Sequence, residues 1–292
     1  MSNSQSWKLI DLLKTTSSFF QKKNIENPRL NAELLLAHVL EMDRVSLYVS
    51  YSRVLAGLEI DAYRKAVSRR IKGEPLQYIL GQTEFMGFPF IVTPDVLIPR
   101  PETETLCEEV IKLRNDESKM SFFDIGTGSG CIPISLVRML PDARALAIDI
   151  SEKALEVAER NKQLNSGNCS LDLEFYAKDL FSEWPDERFE NKFTAVISNP
   201  PYITQAEFGG LQREVKDHEP QIALTDGANG LRFYKRILEL VAEQKIRTKY
   251  IFLEMSGSQP EKIRALAESH AFNNITAIPD LTGIERVLKI LI

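Results

Sequence analysis

Two rhythms of apolar and polar residues run along this chain of 292 residues. From residue 1 to about 75 the sequence reads as helix throughout. "NPRLNAELLLAHVL" places Asn27 as an N-cap and Pro28 at the first helical position, with apolar Leu34, Leu35, Ala37 and Val39 following. "DAYRKAVSRRIKG" predicts a helix starting at Asp61 and closed by Gly73, with Pro75 beyond it. Roughly three to five such helices make a small bundle. The segment "TEFMGFPFIVTPDVLIPR" is then rich in Phe, Ile and Val and broken by Gly87, Pro89 and Pro94, which predicts a β-hairpin or an extended connector.

From about residue 101 helix and strand patterns alternate. "SFFDIG", "RALAIDI", "LEFYAKD" and "FTAVISN" read as strands, and "CIPISLVRML" and "SEKALEVAERNKQL", the latter capped by Ser151, as helices. This alternation predicts an open, mostly parallel α/β sheet. Near the end, "YIFLEM", "ITAIPDL" and "RVLKILI" are strands, and the last two are too close for a crossover helix, so they form an antiparallel hairpin on the sheet. The expected divisions are 1–76 (helical bundle), 77–100 (connector) and 101–292 (α/β domain).

Composition adds exclusions. Apolar residues at 43% and charged residues at 26% are ordinary for a globular protein, and the length suits two domains. A net charge of −5 disfavours nonspecific attraction to nucleic acid. The three cysteines, Cys107, Cys131 and Cys169, are odd in number and widely spaced, which fits a reduced cytoplasmic compartment and gives no support for zinc. His38, His218 and His270 have no metal-ligand spacing, so no metal is expected. "MSNSQSWKLIDLLK" does not read as a signal peptide, and no apolar run approaches the roughly 20 residues of a membrane span.

The first strand of the α/β region ends at Asp124 and Ile125 and turns into "GTGSG", Gly126 to Gly130. Glycines there let the chain turn tightly and let a ligand approach the peptide planes. The spacing is G-x-G-x-G, and Cys131 breaks the dinucleotide fingerprint. The loop alone is equally a plain strand–helix turn. The next strand places Asp149 at its tip, where a carboxylate accepts both hydroxyls of a ribose, or anchors the helix beginning near Ser151. Asp179 and Leu180 close the third strand, where an adenine edge needs an acceptor and its face an apolar cover. Asp124 is placed to hold an ammonium group, directly or through water. A nucleoside that also carries an amino acid uses all of these, which describes S-adenosylmethionine better than NAD.

The fourth strand runs into Asn199-Pro200-Pro201-Tyr202. In a sheet of this kind its loop reaches the same crevice. The Asn199 side-chain oxygen and the Pro200 carbonyl each accept one N–H of a planar NH₂ group, while the two prolines remove competing backbone donors. Tyr202 is expected to lie flat against the planar substrate. Such a nitrogen is a poor nucleophile because its lone pair is delocalised. Two acceptors on its hydrogens favour the positive charge that builds during attack. Asn199, Pro200 and Tyr202 are therefore the expected catalytic set, with Pro201 completing the substrate contact.

Together, "SNPPYI" and "DIGTGSG" resemble the amino-methyltransferases that use S-adenosylmethionine. More narrowly, "FMGFPFIVTPDVLIPRPETE", "HEPQIALTDGANGLRFYKRI" and "DLTGIERVL" resemble the PrmC/HemK family over almost the whole chain. That resemblance implies a Rossmann-like S-adenosylmethionine-dependent methyltransferase domain. It implies methylation of N5 of the glutamine in the Gly-Gly-Gln motif of class-1 peptide chain release factors, with S-adenosylhomocysteine as product. The family's cofactor site falls on Gly126, Thr127, Gly128, Ser129 and Gly130, with Asp149 on the ribose, Leu180 beside the adenine and Asn199 on the cofactor side. Its glutamine site falls on Asn199 to Tyr202. Two departures stand out. Leu180 replaces a larger aromatic residue, so weaker stacking is expected, and Ser256 in "EMSGSQ" replaces an expected Gly.

The resemblance also implies a cytoplasmic monomer whose helical domain docks the release factor, with no sequence-specific nucleic-acid binding and no membrane association. Two alternatives remain open on the sequence. One is a nucleic-acid adenine N6-methyltransferase, whose target is also a planar amine; the other is a non-enzymatic S-adenosylmethionine-binding recruitment module. Arg100 and Glu102 border the site or form a rigid junction, and Glu219-Pro220 line its opening or close a loop. The run Arg64, Lys65, Arg69, Arg70 and Lys72 reads as a solvated helix face. Phe85, Phe88 and Phe90 read as connector core, Cys131 as helix packing, and His218 as a base the chemistry does not need.

Overall fold

The computed structural model describes residues 7–115, 117, 119–167, 170–184, 189 and 192–292. Cys169 and the first six residues lie outside the described residues. The chain forms two compact units: residues up to Gly81 together with Arg213–His218, and Gln82–Gln212 together with Glu219–Ile292.

The first unit carries five helices before Gly81: α1 (Leu9–Lys22), α2 (Pro28–Leu40), α3 (Arg44–Val49), α4 (Gly57–Ile71) and α5 (Leu76–Leu80). Their inner faces bury Leu9, Phe20, Leu35, Leu36, Tyr63 and Ile79. Asn27 occupies the N-cap of α2 with Pro28 behind it, but its backbone is left-handed (φ 47°) and its side chain caps nothing. The Asn31 amide instead donates to the Glu26 and Asn27 carbonyls at 2.9 and 3.2 Å. Helix α4 begins at Gly57, earlier than the expected Asp61, because the Glu59 carboxylate reaches back to the Ala56 N–H at 2.8 Å. The basic run is not uniformly solvated. Arg70 is buried, donating to Asn31 at 2.8 Å and to the Glu74 carbonyl at 2.9 Å, and it pairs with Glu214 at 2.8 Å.

The boundary falls at Gly81, not at the expected residue 76, because α5 buries Ile79 in the core of the helical unit and packs Leu76 and Leu80 against it. The segment 77–100 is likewise not a separate connector. Strands β1 (Gln82–Phe85) and β2 (Phe88–Ile91) form the expected hairpin, whose turn has Met86 and Gly87 at φ 53° and 77°. Phe85 and Phe90 are buried edge to face in the core of the second unit, and Phe88 is half-buried against it.

The second unit is built on a seven-stranded sheet of order β5-β4-β3-β6-β7-β9-β8. Strands β3 (Ser121–Ile125), β4 (Arg144–Asp149), β5 (Leu173–Ala177), β6 (Lys192–Ser198) and β7 (Arg247–Glu254) are parallel. Strand β9 (Glu285–Leu291) runs antiparallel between β7 and β8 (Asn274–Pro279). The sheet has one apolar cluster on Phe122, Leu136, Ala145 and Ile197, and another on Phe123, Val196, Ile237 and Ile251. That alternation along β3 and β6 is what a sheet buried on both faces requires. Strand order reverses between β4 and β6 across β3, so a crevice opens at the carboxyl ends of these strands.

Candidate active site

The glycine loop lies in that crevice. The N–H groups of Gly126 and Thr127 donate to the Ile148 carbonyl at 2.9 and 3.0 Å, which ties the loop to β4. Gly126, Gly128 and Gly130 all have left-handed φ, at 77°, 55° and 78°. Their surroundings differ. A Cβ on Gly126 or Gly128 would meet nothing within 4 Å, whereas one on Gly130 would press on Ile134, Ala158 and Phe175 at 3.0, 3.1 and 3.2 Å. The first two glycines face open cavity and the third lets α7 (Cys131–Met139) pack closely.

Asp149 anchors the helix start near Ser151 and also holds the glycine loop. Its Oδ2 accepts the Gly128 N–H at 2.8 Å and its Oδ1 accepts the Ser151 N–H at 2.9 Å, at the start of α8 (Glu152–Ser166). It also lines the cavity. Burial raises its carboxyl above the usual range, and the N–H groups of Ser151 and Gly128 oppose this.

Asp124 is 1% exposed, and neither carboxylate oxygen has a hydrogen-bond partner. Burial pushes it up to about 7; the nearby Thr127 hydroxyl pulls the other way, and Asp149 adds to the rise. An unpaired carboxylate beneath a glycine loop is costly unless a cation meets it. Asp124 is not on the cavity lining, whereas the buried Thr127 and Ser129 are, and the Thr127 hydroxyl is also unpartnered.

At the third strand tip, Asp179 is exposed and accepts the Phe181 N–H at 2.9 Å. Leu180 is buried, and its carbonyl accepts from Trp184 at 3.1 Å. Both line the cavity. The aromatic cover beside them was not foreseen. Phe181 and Phe233 meet edge to face at 5.3 Å, and the Arg232 guanidinium lies 4.1 Å from the Phe181 ring; all three line the cavity. Phe181 directly follows Leu180, so its place was legible; Phe233 comes from the helix α12 (Arg232–Ala242) and was not.

Opposite stands the Asn-Pro-Pro loop. Ser198 donates to the Ile125 carbonyl at 2.7 Å and fastens the end of β6 to β3. Asn199, Pro200 and Pro201 line the cavity. The Asn199 Nδ2 donates to the Thr103 hydroxyl at 3.2 Å, which leaves its oxygen free to accept. The loop is held from outside by Gln259, which donates to the Tyr202 carbonyl at 2.9 Å. Gly230 passes so close that an added Cβ would meet that same carbonyl oxygen at 2.3 Å. Tyr202 is not brought to the cavity lining; it packs half-buried against the second core cluster.

Arg100 and Pro220 also line the cavity, and Arg100 donates to the buried Glu219 at 2.6 Å. Glu219 accepts the Ile98 N–H at 3.2 Å as well. Glu102 is not on the lining, and His218 belongs to the first unit. Cys131 is buried at the start of α7, and burial pushes its thiol up to about 12. Ser256 forms its turn outside the left-handed region, so replacing Gly there strains nothing.

The two open glycines and Asp149 on one cavity, with the unpartnered Asp124 on the strand that leads into the loop, fit S-adenosylmethionine, which carries an ammonium, an amino-acid chain and a sugar. Among the described residues, no group of three or more His, Cys, Asp or Glu is arranged to hold a metal, and no helix is long and apolar enough to cross a membrane.

Comparison with known proteins agrees. The profile of the PrmC N-terminal domain matches residues 11–81, and that of the methyltransferase small domain matches 103–216. A release factor glutamine methyltransferase of Geobacter sulfurreducens is 38% identical over 97% of this chain and 96% of its own. One from Chlorobaculum tepidum is 37% identical over 97% of each chain. The chain belongs to the release factor glutamine methyltransferase family. Among solved structures, the hMettl16 catalytic domain in complex with a MAT2A 3′UTR hairpin superposes with a TM-score of 0.56 at 16% identity, covering 82% of this chain and 84% of that one. That likeness shows the methyltransferase fold. Membership of a methyltransferase family makes this chain an enzyme, so the recruitment-module reading falls away. The first profile ends at Gly81, as does the N-terminal stretch of the helical unit.

Proposed function

We propose that this chain transfers a methyl group from S-adenosylmethionine to N5 of the glutamine in the Gly-Gly-Gln motif of class-1 peptide chain release factors. One observation carries this reading. The Asn199 amide is anchored through its nitrogen, beside two prolines that offer no N–H, on the same cavity as the open glycines Gly126 and Gly128 and the Asp149 carboxylate. Asp124 receives the cofactor's ammonium, Asp149 its ribose, and Leu180 with Phe181 and Phe233 its adenine. When bound, the cofactor supplies an electrophilic methyl group. The Asn199 oxygen and the Pro200 carbonyl accept the two N–H groups of the glutamine amide, and so direct its nitrogen lone pair. The methylated amide nitrogen is acidic and loses its proton to water, so no strong base is required. No metal takes part.

The enzyme acts in the cytoplasm as a monomer, and the helical unit docks the release factor. Val45 and Val49 of α3 are 73% and 78% exposed, which suits such a contact. The adenine alternative needs a basic surface, and the net charge of −5 counts against it. The test is radiolabelled methyl transfer to a purified class-1 release factor, to its Gly-Gly-Ala variant, and to DNA and RNA. Label on the first protein alone supports the reading, and label on nucleic acid alone overturns it.

A further inference from the structure

Asn199 serves the chemistry only if its amide oxygen, not its nitrogen, faces the incoming N–H groups. An Asn side chain is nearly symmetric in shape, so something must decide which end faces inward. The deciding contact is the hydrogen bond from Asn199 Nδ2 to the Thr103 Oγ1 at 3.2 Å. A threonine hydroxyl carries one proton. It accepts here, so its own proton must be sent elsewhere.

The neighbouring strand ends in a buried acid, Glu254, at the carboxyl end of β7 and 1% exposed. Strand pairing sets this up: Ser198 faces Leu253 across β6 and β7, so Asn199 and Glu254 leave the sheet side by side. The Thr103 and Tyr202 hydroxyls both favour the charged form of the Glu254 carboxyl. Its second oxygen, Oε2, has no partner. The Tyr234 hydroxyl fixes the same residue from below, donating to its carbonyl at 2.7 Å. When ionised, the Glu254 carboxyl only accepts, so a hydroxyl that donates to it keeps its own lone pairs for the Asn199 amide.

Resting on the glutamine methyltransferase reading, we infer that Thr103, backed by the Glu254 carboxylate, is the positioning residue that keeps the Asn199 amide oxygen turned toward the substrate. This also gives Tyr202 a place in the site through its hydroxyl, from outside the cavity. Burial raises the Glu254 carboxyl to about 7, Thr103 and Tyr202 favour its charged form, Glu102 disfavours it and Arg286 favours it.

The test compares Thr103→Val, Thr103→Ser and Glu254→Gln in the full chain. Thr103→Val removes the acceptor at nearly constant shape. It is expected to lower kcat about tenfold, with S-adenosylhomocysteine affinity unchanged, and Thr103→Ser to restore most of the rate. Glu254→Gln keeps an acceptor but adds a donor, and is expected to lose less than Thr103→Val. The Asn199 side-chain NH₂ resonance, assigned by its disappearance in Asn199→Asp, is expected to shift in Thr103→Val and return in Thr103→Ser. A wild-type kcat in Thr103→Val, a failed Ser rescue, a loss of cofactor affinity that tracks kcat, or an unmoved resonance overturns the inference. A wild-type protein that leaves the release factor unmethylated overturns the function instead, and the resonance still decides the role of Thr103.

Discussion

The Asp149 carboxylate accepts the Gly128 N–H at 2.8 Å, so the acid expected at the ribose also sets the shape of the glycine loop. Each oxygen already holds one backbone N–H and retains capacity for another donor. Asp149→Ala is expected to weaken S-adenosylhomocysteine binding by on the order of 2–4 kcal/mol. Isothermal titration checks it, and unchanged affinity in a folded variant sinks the assignment.

Asn199→Ala is expected to lower kcat by roughly 100–1,000-fold, not merely to raise KM, because the lost acceptor acts as charge grows on nitrogen. Asn199→Asp keeps an acceptor but adds charge, and is expected to be impaired without being inactive. Single-turnover methylation of the release factor, with cofactor binding measured separately, is the decisive assay. A wild-type rate in saturated Asn199→Ala reduces the loop to a clamp.

Asp124 makes two pH dependences testable. Its carboxyl is raised from 3.8 to about 7 in the folded chain. Its contribution to the stability of the unliganded protein is therefore full below the unfolded value, and is lost as pH rises from about 4 through about 7. Cofactor binding runs the other way, since the ammonium pairs with the ionised acid. Affinity is expected to rise about tenfold between roughly pH 6 and pH 8. Asp124→Asn should flatten both trends, read by thermal unfolding and by titration; a variant that keeps the wild-type slopes refutes the pairing.

Two glycines separate packing from ligand approach. Gly130→Ala places a Cβ among Ile134, Ala158 and Phe175 at φ 78°, and is expected to cost about 1–3 kcal/mol in urea unfolding. Gly128→Ala meets no neighbour, and is expected to lose cofactor affinity out of proportion to its smaller effect on stability. Equal effects of the two on both measurements would contradict this division.

The proposed docking role of the helical unit is tested by Val45→Lys with Val49→Lys. Both side chains are exposed, so the unfolding temperature and cofactor affinity should hold while kcat/KM on the whole release factor falls at least about tenfold. An unchanged kcat/KM places docking elsewhere.

Much of the site is local in sequence. Gly126 to Gly130, Asp149, Asp179 and Asn199 to Pro201 are each strand ends or the turns that follow them. A parallel α/β sheet sends all its strand ends to one edge, so recognising the strands assembles the crevice. Tyr202 shows where that reasoning stops. Its place after two prolines was readable, but the direction of its ring was settled by the second core cluster and by the close pass of Gly230 beneath its carbonyl. Arg70 is similar: charge periodicity puts it on a solvated face, and contact with Asn31, Glu74 and Glu214 buries it.

The strands of the sheet, its antiparallel ending, the glycine loop and the Asn-Pro-Pro acceptor were legible along the chain, because each rests on residue types at short spacing. The absence of a partner for Asp124, the hold of Thr103 on Asn199 and the meeting of Phe233 with Phe181 over the cavity came from the folded chain alone. These groups come from segments far apart in the chain. No local pattern encodes their meeting; it follows from the register of β6 on β7 and from where helices close over the sheet.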